Sequence, residues 1–295
     1  MIKIKKIWNR SPKEIDELIK FTEGKEFQRN IEKMRDKHRS LKNRLFTHVN
    51  IETTSQCNNN CSFCPVSTIN NQRPLVKMRH KIFVKIINDL VDLNFSGKIY
   101  PFINNEPLLD GFILDKVRYI RQKLPKATIH IETNGILLTL KLAYALFEFV
   151  DTIKINDYAD NDKDYKNFTL RTRDFLKKID KDKIKRDVDL IVCHRLKNQL
   201  LSDRSGKVEG RIISQTNVNK FCNFPFYQLN INPKGKIFVC CRDTYWEEII
   251  GDIKENSLEE IWNNNKYNEI RDAFLNDKRI CSVCRKCSSN GSMTI

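Results

Sequence analysis

The sequence predicts an α/β fold built around a parallel sheet. Three observations lead there. From residue 47 onward, short apolar strand segments alternate with helical segments. The helical segments are long enough to serve as crossovers between parallel strands. The strand segments are rich in Ile and Val, as expected of strands buried on both faces.

The elements follow in chain order. Residues 11–45 read as a helical leader, opened by Ser11 and Pro12 as N-cap and N1, with Glu14 completing a capping box. The leader is polar and is expected to be a surface appendage or cap. His48–Thr53 reads as a strand and Arg79–Leu93 as a helix by its apolar spacing. Lys98–Ile103 is the next strand, Gly111–Leu124 a helix and Thr128–Thr133 a strand. Leu137–Val150 is an apolar helix, Thr152–Asn156 a strand, Lys163–Ile179 a charged helix and Val188–Cys193 a fifth strand. Residues 194–220 read as loop and linker. Phe226–Ile231 and Lys236–Cys240 then form a hairpin about Asn232-Pro233-Lys234-Gly235, and Ser257 caps a helix beginning at Leu258.

The 295 residues suffice for one large domain or two smaller ones, with 40% hydrophobic and 31% charged residues. No two of the nine glycines lie two apart, which excludes a G-x-G-x-x-G dinucleotide loop, and there is no G-K-S/T phosphate loop. No apolar run approaches the ~18 residues of a membrane span. The opening Met1–Arg10 has no apolar core of a secretory signal, so a cytoplasmic location is expected. The net charge is +16, of which residues 1–45 carry +7, from 14 Lys and Arg against 7 Asp and Glu. That balance suits a small anionic substrate. With no run of five or six like charges, nucleic acid is a weaker expectation.

Ten cysteines are too few for a disulfide scaffold, and they cluster. Cys57, Cys61 and Cys64 lie within eight residues directly after a strand. Three thiolates so spaced can wrap one small iron–sulfur cluster and leave a fourth position open, whereas structural zinc normally takes four protein ligands. Cys193 stands alone, and Cys222, Cys240, Cys241, Cys281, Cys284 and Cys287 fall in the last quarter of the chain.

The C-x3-C-x2-C motif closely resembles that of the radical S-adenosylmethionine (SAM) superfamily. The resemblance implies a partial (β/α)6 barrel over residues 46–215. It also implies a [4Fe–4S] cluster on Cys57, Cys61 and Cys64 that binds SAM at its open iron. Cleavage of SAM there yields a 5′-deoxyadenosyl radical that takes hydrogen from substrate. Phe63 matches the family's aromatic near the adenine. Asn104-Asn105-Glu106 stands where the family has G-G-E. Glu106 alone carries over, as the carboxylate that meets the methionine ammonium. Thr133-Asn134-Gly135 resembles the family's T-N-G beside the SAM ribose and methionine, and Asn156 falls where a polar SAM contact is common. Residues 216–295 resemble a SPASM/twitch extension holding one auxiliary [4Fe–4S] cluster. Cys222 and Cys240 match its first two ligands, with two more from Cys281, Cys284 and Cys287. Residues 1–45 then form a basic helical leader.

The remaining residues leave function open among three radical reactions. Oxidation of a small polyol, sugar or cyclitol, with the auxiliary cluster as electron acceptor, ranks first. Epimerisation of a sugar or aminoglycoside needs a spare cysteine as hydrogen donor; peptide modification ranks third. Cys193 reads as a small buried residue or as a thiol facing the barrel mouth, and Arg204, in an Arg-small-Gly segment, as a substrate contact or part of a polar loop. The other histidines read as structural or exposed. The resemblance implies a small-molecule substrate and a reducing partner such as flavodoxin or ferredoxin. A basic zinc protein that touches nucleic acid is the non-enzymatic alternative.

Overall fold

The computed structural model describes residues 2–8, 25–40, 45–67, 72–159, 161–194, 204–208 and 221–287. The Ser11-Pro12 cap, most of the 194–220 linker, and Ser202 and Asp203 lie outside them.

Nine strands form one sheet in the order β1-β6-β5-β4-β3-β2-β7-β8-β9. They are β1 (Ile2–Trp8), β2 (His48–Ile51), β3 (Lys98–Tyr100), β4 (Thr128–Thr133), β5 (Thr152–Asn156), β6 (Val188–His194), β7 (Gln228–Ile231), β8 (Lys236–Phe238) and β9 (Ile249–Asp252). From β1 to β7 every neighbour is parallel; β8 and β9 are antiparallel. The five expected strands form the centre, β2 to β6, as a partial α/β barrel.

Helices α2 (His80–Asp92), α3 (Ile113–Lys123), α4 (Leu140–Phe147) and α5 (Asp162–Lys177) occupy the crossovers. Ile82, Phe83, Ile86, Ile87 and Leu90 bury one stripe of α2, the three-and-four spacing of an amphipathic helix. Side-chain caps set the starts of α4 and α5, three residues later and one residue earlier than the sequence expectation. Thr139 accepts from the Leu142 N–H at 3.2 Å and Asn161 from the Asp164 N–H at 3.0 Å.

Three features differ from the sequence expectation. First, the leader is more than a helical appendage. Ile2–Trp8 pairs in parallel with β6 along its whole length, with Ile2 buried and Lys3 and Lys5 exposed. That alternation is the period of an edge strand. Helix α1 (Lys25–Ser40) docks elsewhere, on the C-terminal lobe: Arg35 pairs with Asp277 at 2.5 Å, and His38 bonds Asn223 at 2.6 Å and stacks on Phe226.

Second, the barrel strands are apolar on one face only. Val49, Ile51, Ile99, Ile129, Ile131, Ile153, Leu190 and Val192 join the core that includes the α2–α4 stripes. The residues between them on the inner face are His48, Asn50, Tyr100, His130, Glu132, Lys154 and Asn156. Third, β7 joins the barrel. It pairs with β2 from His48↔Gln228 to Ile51↔Ile231, so the C-terminal lobe continues the barrel's own sheet.

The β7–β8 turn sets where the following cysteines emerge. Asn232 Oδ1 accepts from Lys234 N and Lys236 N, each at 3.0 Å. Gly235 closes the turn at φ +83°, and a Cβ there would lie 2.8 Å from Ile253 Cγ2. A side chain costs ~1–2 kcal/mol in that left-handed conformation, and crowding adds about 1–3 kcal/mol. Gly235→Ala is therefore expected to lower the unfolding free energy by at least ~2 kcal/mol, read as a shifted urea midpoint with unchanged slope.

Candidate active site

The inner face of the sheet is polar and enclosed. Asn50 Nδ2 donates to Asn230 Oδ1 at 2.8 Å, with both residues buried. His48, Tyr100 and His130 stack in series, with ring centroids 6.0 and 5.0 Å apart. Burial, with Lys98 nearby, lowers the His48 pKa to about 4 and also lowers that of His130, so both rings are neutral at pH 7. Glu132 draws Asn156 Nδ2 to 3.0 Å and Lys154 Nζ to 3.5 Å. Cys193 lies in register with Asn156 at the end of β6, its pKa raised by burial. Buried His130 Nε2, Gln228 Oε1 and Asn230 Nδ2 have no protein partner.

At the mouth of the barrel, the β2–α2 loop carries Cys57, Cys61 and Cys64. The Ser55 N–H bonds Val76 O and the Met78 N–H bonds Thr53 O, each within 3 Å, so the loop folds back on its own base. Its tip is turned by the Cys64 N–H on Cys61 O at 3.1 Å. Burial pushes the Cys57 thiol up to about 11, against hydrogen bonds from the backbone at Asn58 and Asn59 and with Glu106 nearby. A buried thiol ionises when a metal centre supplies the compensating charge. The Cys57 sulfur, with Cys64 nearby, therefore suits such a centre.

Glu106 is held at the same mouth. Its backbone N–H bonds Gln56 O at 2.9 Å, tying it to the cysteine loop. Its carboxylate accepts from Leu108 N at 3.1 Å, Thr133 Oγ1 at 2.7 Å and Asn134 N at 2.8 Å. Burial raises its pKa, and these three donors oppose the rise. Asn134 Nδ2 reaches Asn58 Oδ1 at 2.8 Å, so the T-N-G turn touches the cysteine loop directly. Gly135 is required there: φ is +72°, and a Cβ would meet Ile155 Cγ2 at 2.7 Å. Phe63 packs against Tyr158 with centroids 5.8 Å apart. The fold thus brings together Cys57, Phe63, Glu106, Thr133 and Asn134, while Asn156, at the C-terminal end of β5, is engaged by Glu132 on the inner face.

A second constellation lies in the C-terminal lobe. Cys222, Cys240, Cys284 and Cys287 line a small cavity with Arg242 and Arg279. Cys281 is buried behind it, with its thiol bonded to that of Cys284. The Arg242 N–H points at Cys240 Sγ, 3.4 Å away, and Arg279 binds the Cys284 and Cys287 carbonyls. Burial drives the Cys222 thiol up to about 12, and hydrogen bonds to the neighbouring Cys241 and Cys281 thiols, followed by burial, raise those of Cys240 and Cys284. Two guanidiniums beside buried thiols suit an anionic thiolate-bound group. Among the described residues, no three His, Cys, Asp or Glu side chains converge on a single metal ion. Cys241 does not line the cavity; its thiol bonds that of Cys240 and lies near Arg242 and Arg204. Arg204 lies near Tyr158 as well, and Ser205 lines the cavity, so this segment stands between the barrel mouth and the second constellation.

Glu132, Lys154 and Tyr158 carry no motif. Strict alternation along Thr128–Thr133 and Thr152–Asn156 was the one signal that could have placed Glu132 and Lys154 on the inner face.

A three-thiol loop at the mouth of a parallel barrel, with a thiol-lined cavity in the same sheet, defines a class of enzyme. Family models agree: the radical SAM superfamily matches residues 51–197, and the SPASM iron–sulfur cluster-binding domain matches residues 222–288. The chain belongs to the radical SAM superfamily and carries a SPASM domain. The two family models imply SAM and [4Fe–4S] clusters as its cofactors. Its relatives include the S-adenosyl-L-methionine-dependent 2-deoxy-scyllo-inosamine dehydrogenase of Niallia circulans, 26% identical over 252 residues, which are 83% of this chain and 94% of that one. Among solved structures, BtrN in complex with AdoMet and 2-DOIA matches with a TM-score of 0.71 at 23% identity, over 83% of this chain and 94% of that one. Histidine-tagged anSMEcpe with bound AdoMet matches with a TM-score of 0.51 at 13% identity, over 82% of this chain and 85% of that one. Both structures share the fold. Among the described residues no helix is long and apolar enough to cross a membrane.

Thr133 offers a test of the mouth. Its hydroxyl donates to Glu106 and accepts the Gly135 N–H at 3.0 Å. Thr133→Val keeps the shape but removes one of the three donors to the buried Glu106 carboxylate and leaves the Gly135 N–H without its acceptor. It is expected to destabilise the protein by about 1–3 kcal/mol, measured by chemical denaturation of the metal-free protein.

Proposed function

We propose that this enzyme dehydrogenates a secondary alcohol of an aminocyclitol or a similar small polyol. The carrying observation is the inner face, where neutral imidazoles, amides, Glu132 and Lys154 surround buried polar atoms that lack protein partners. Such atoms are costly unless something bonds them, and a hydroxylated ring offers a donor or acceptor at each carbon. Glu132 suits the ammonium of an aminocyclitol, and Lys154 a hydroxyl or an anionic substituent. The dehydrogenase from Niallia circulans acts on such a compound, which supports the same class here.

When bound, the clusters supply the electron that cleaves SAM and take up the electron that the substrate gives up. The chain's own residues position and exclude. We infer that Cys57, Cys61 and Cys64 hold the first cluster. Glu106, already oriented by three donors, keeps a lone pair on Oε2 for the methionine ammonium. Phe63 closes the site beside the adenine, with Thr133, Asn134 and Asn156 lining the SAM pocket. Cys222, Cys240, Cys284 and Cys287 are the set that faces the second cavity, which favours Cys284 and Cys287 over Cys281 as the tail ligands. Arg204 is placed to contact substrate between the two centres. We further propose a cytoplasmic enzyme reduced by a flavodoxin or ferredoxin, whose acidity would suit the chain's charge of +16.

Epimerisation has one observation in its favour: Cys193 ends β6 on the inner face, where a thiol could return a hydrogen atom. Product mass separates the two. Incubated anaerobically with SAM, a reductant and 2-deoxy-scyllo-inosamine in deuterated water, the reconstituted enzyme is expected to give a product about two mass units lighter, with no deuterium on carbon. A product of unchanged oxidation state carrying one deuterium, absent in Cys193→Ala, would establish epimerisation instead.

The ligand assignment predicts iron content. The wild type should bind about eight irons, as two [4Fe–4S] clusters. Cys281→Ala should retain about eight, and Cys287→Ala should fall towards about four, by colorimetric iron assay.

A further inference from the structure

One buried ion pair is used by no step above. Glu52 and Arg73, whose side chains are 0% and 1% exposed, pair at 2.7 Å. Neither belongs to a cysteine motif, and they meet where three segments converge. Arg73 Nη2 donates to Ser55 O at 2.9 Å, at the base of the Cys57–Cys64 loop, and to Asn104 O at 2.8 Å, beside Glu106. Glu52 Oε1 accepts the Asn104 N–H at 3.2 Å, and Oε2 accepts Trp246 Nε1 at 2.9 Å, from the C-terminal lobe. The Arg73 guanidinium also lies 4.9 Å from the centroid of the Trp246 ring.

Two further features mark the junction. Trp246 has φ +59°, a left-handed conformation that a bulky side chain adopts only when its surroundings hold it. The Asn104 side chain donates to Cys241 O at 3.0 Å, directly after Cys240. Asn104 stands where G-G-E has its first glycine, so this bond is one that the glycine could not make.

We propose that Glu52, Arg73, Trp246 and Asn104 act as a positioning node that registers the SAM-binding mouth against the auxiliary-cluster lobe. Binding of SAM at the mouth is thereby felt in the strand and turn that carry Cys240. The proposal rests on the assignment of Cys57–Cys64 and Cys240 to the two cluster sites. A shared carboxylate is suited to this: a shift of any one segment strips a buried charge of a hydrogen bond.

Hydrogen–deuterium exchange of the reconstituted protein, with SAM as the probe, tests it. In the wild type, SAM is expected to slow exchange in 52–67, in 104–109 and also in 239–248. Trp246→Phe removes the indole N–H bond to Glu52 while keeping an aromatic ring beside Arg73, and Asn104→Gly removes the side-chain amide that bonds Cys241. Each should keep its iron content and bind SAM within threefold of the wild type, and keep the first two protections. Each should lose at least fivefold of the SAM-induced protection in 239–248. A merely structural role would lower iron content and protection everywhere together. Retention of the 239–248 protection in both variants, or its absence from the wild type, would overturn the proposal. If Trp246→Phe loses iron, Asn104→Gly decides alone. A wild type that SAM protects nowhere would overturn the site assignment underneath, and the node with it.

Discussion

A carboxylate and a guanidinium withdrawn from water hold the active end of this molecule together. Taking either ion out of solvent costs several kcal/mol, and their mutual attraction offsets that cost only when the remaining donors and acceptors are also paired. Here they are. The Glu52 carboxylate takes Arg73, the Asn104 N–H and the Trp246 indole, and Arg73 reaches two backbone carbonyls besides. Burial raises the Glu52 pKa, and Arg73 with the other donors opposes it. The pair therefore contributes less to net stability than to arrangement. It can be satisfied only when the cysteine loop, the Glu106 loop and the C-terminal lobe are all in place.

The sheet explains why these parts can meet. β7 pairs in parallel with β2, and the Glu52 N–H extends that pairing to Ile231 O at 2.9 Å. The strand that launches the first cysteine motif therefore lies beside the strand that leads to Cys240. The two thiol constellations hang from neighbouring strands of one sheet rather than from two domains joined by a flexible tether. The leader reinforces both ends: β1 covers the β6 edge, and α1 packs on residues 221–227 and 275–277.

The division of the sheet into two faces separates stability from chemistry. The outer face buries an almost unbroken layer of Ile, Val and Leu against the helices and supplies the hydrophobic driving force. The inner face is thereby free to carry His130, Glu132, Lys154 and Asn156, whose desolvation is tolerable because they bond one another or a ligand. Neutral imidazoles at His48 and His130 fit this enclosed setting, since protonation would place further positive charge beside Lys98.

Sequence alone determined what depends on local spacing. C-x3-C-x2-C and T-N-G are legible because their residues lie within a few positions of one another, whereas Glu106 is legible only through the resemblance to G-G-E. The Ser257 cap is legible from its near neighbours, and the structure completes it as a capping box with Glu260. The five central strands were legible from the alternation of strand and helix. The polar inner face escapes a reading by composition, because Ile-rich runs look apolar throughout, although T-I-H-I-E-T alternates strictly. Tertiary structure alone decided the rest. No spacing rule joins Glu52 to Trp246 across 194 residues, or Asn104 to Cys241 across 137. Nor could spacing choose among Cys281, Cys284 and Cys287, since three cysteines at equal intervals are equivalent until a short helix turns two of them towards the cavity and one behind it. Such contacts arise only when distant segments are packed together, and the cost of burying unpaired charge and thiol is what selects among them.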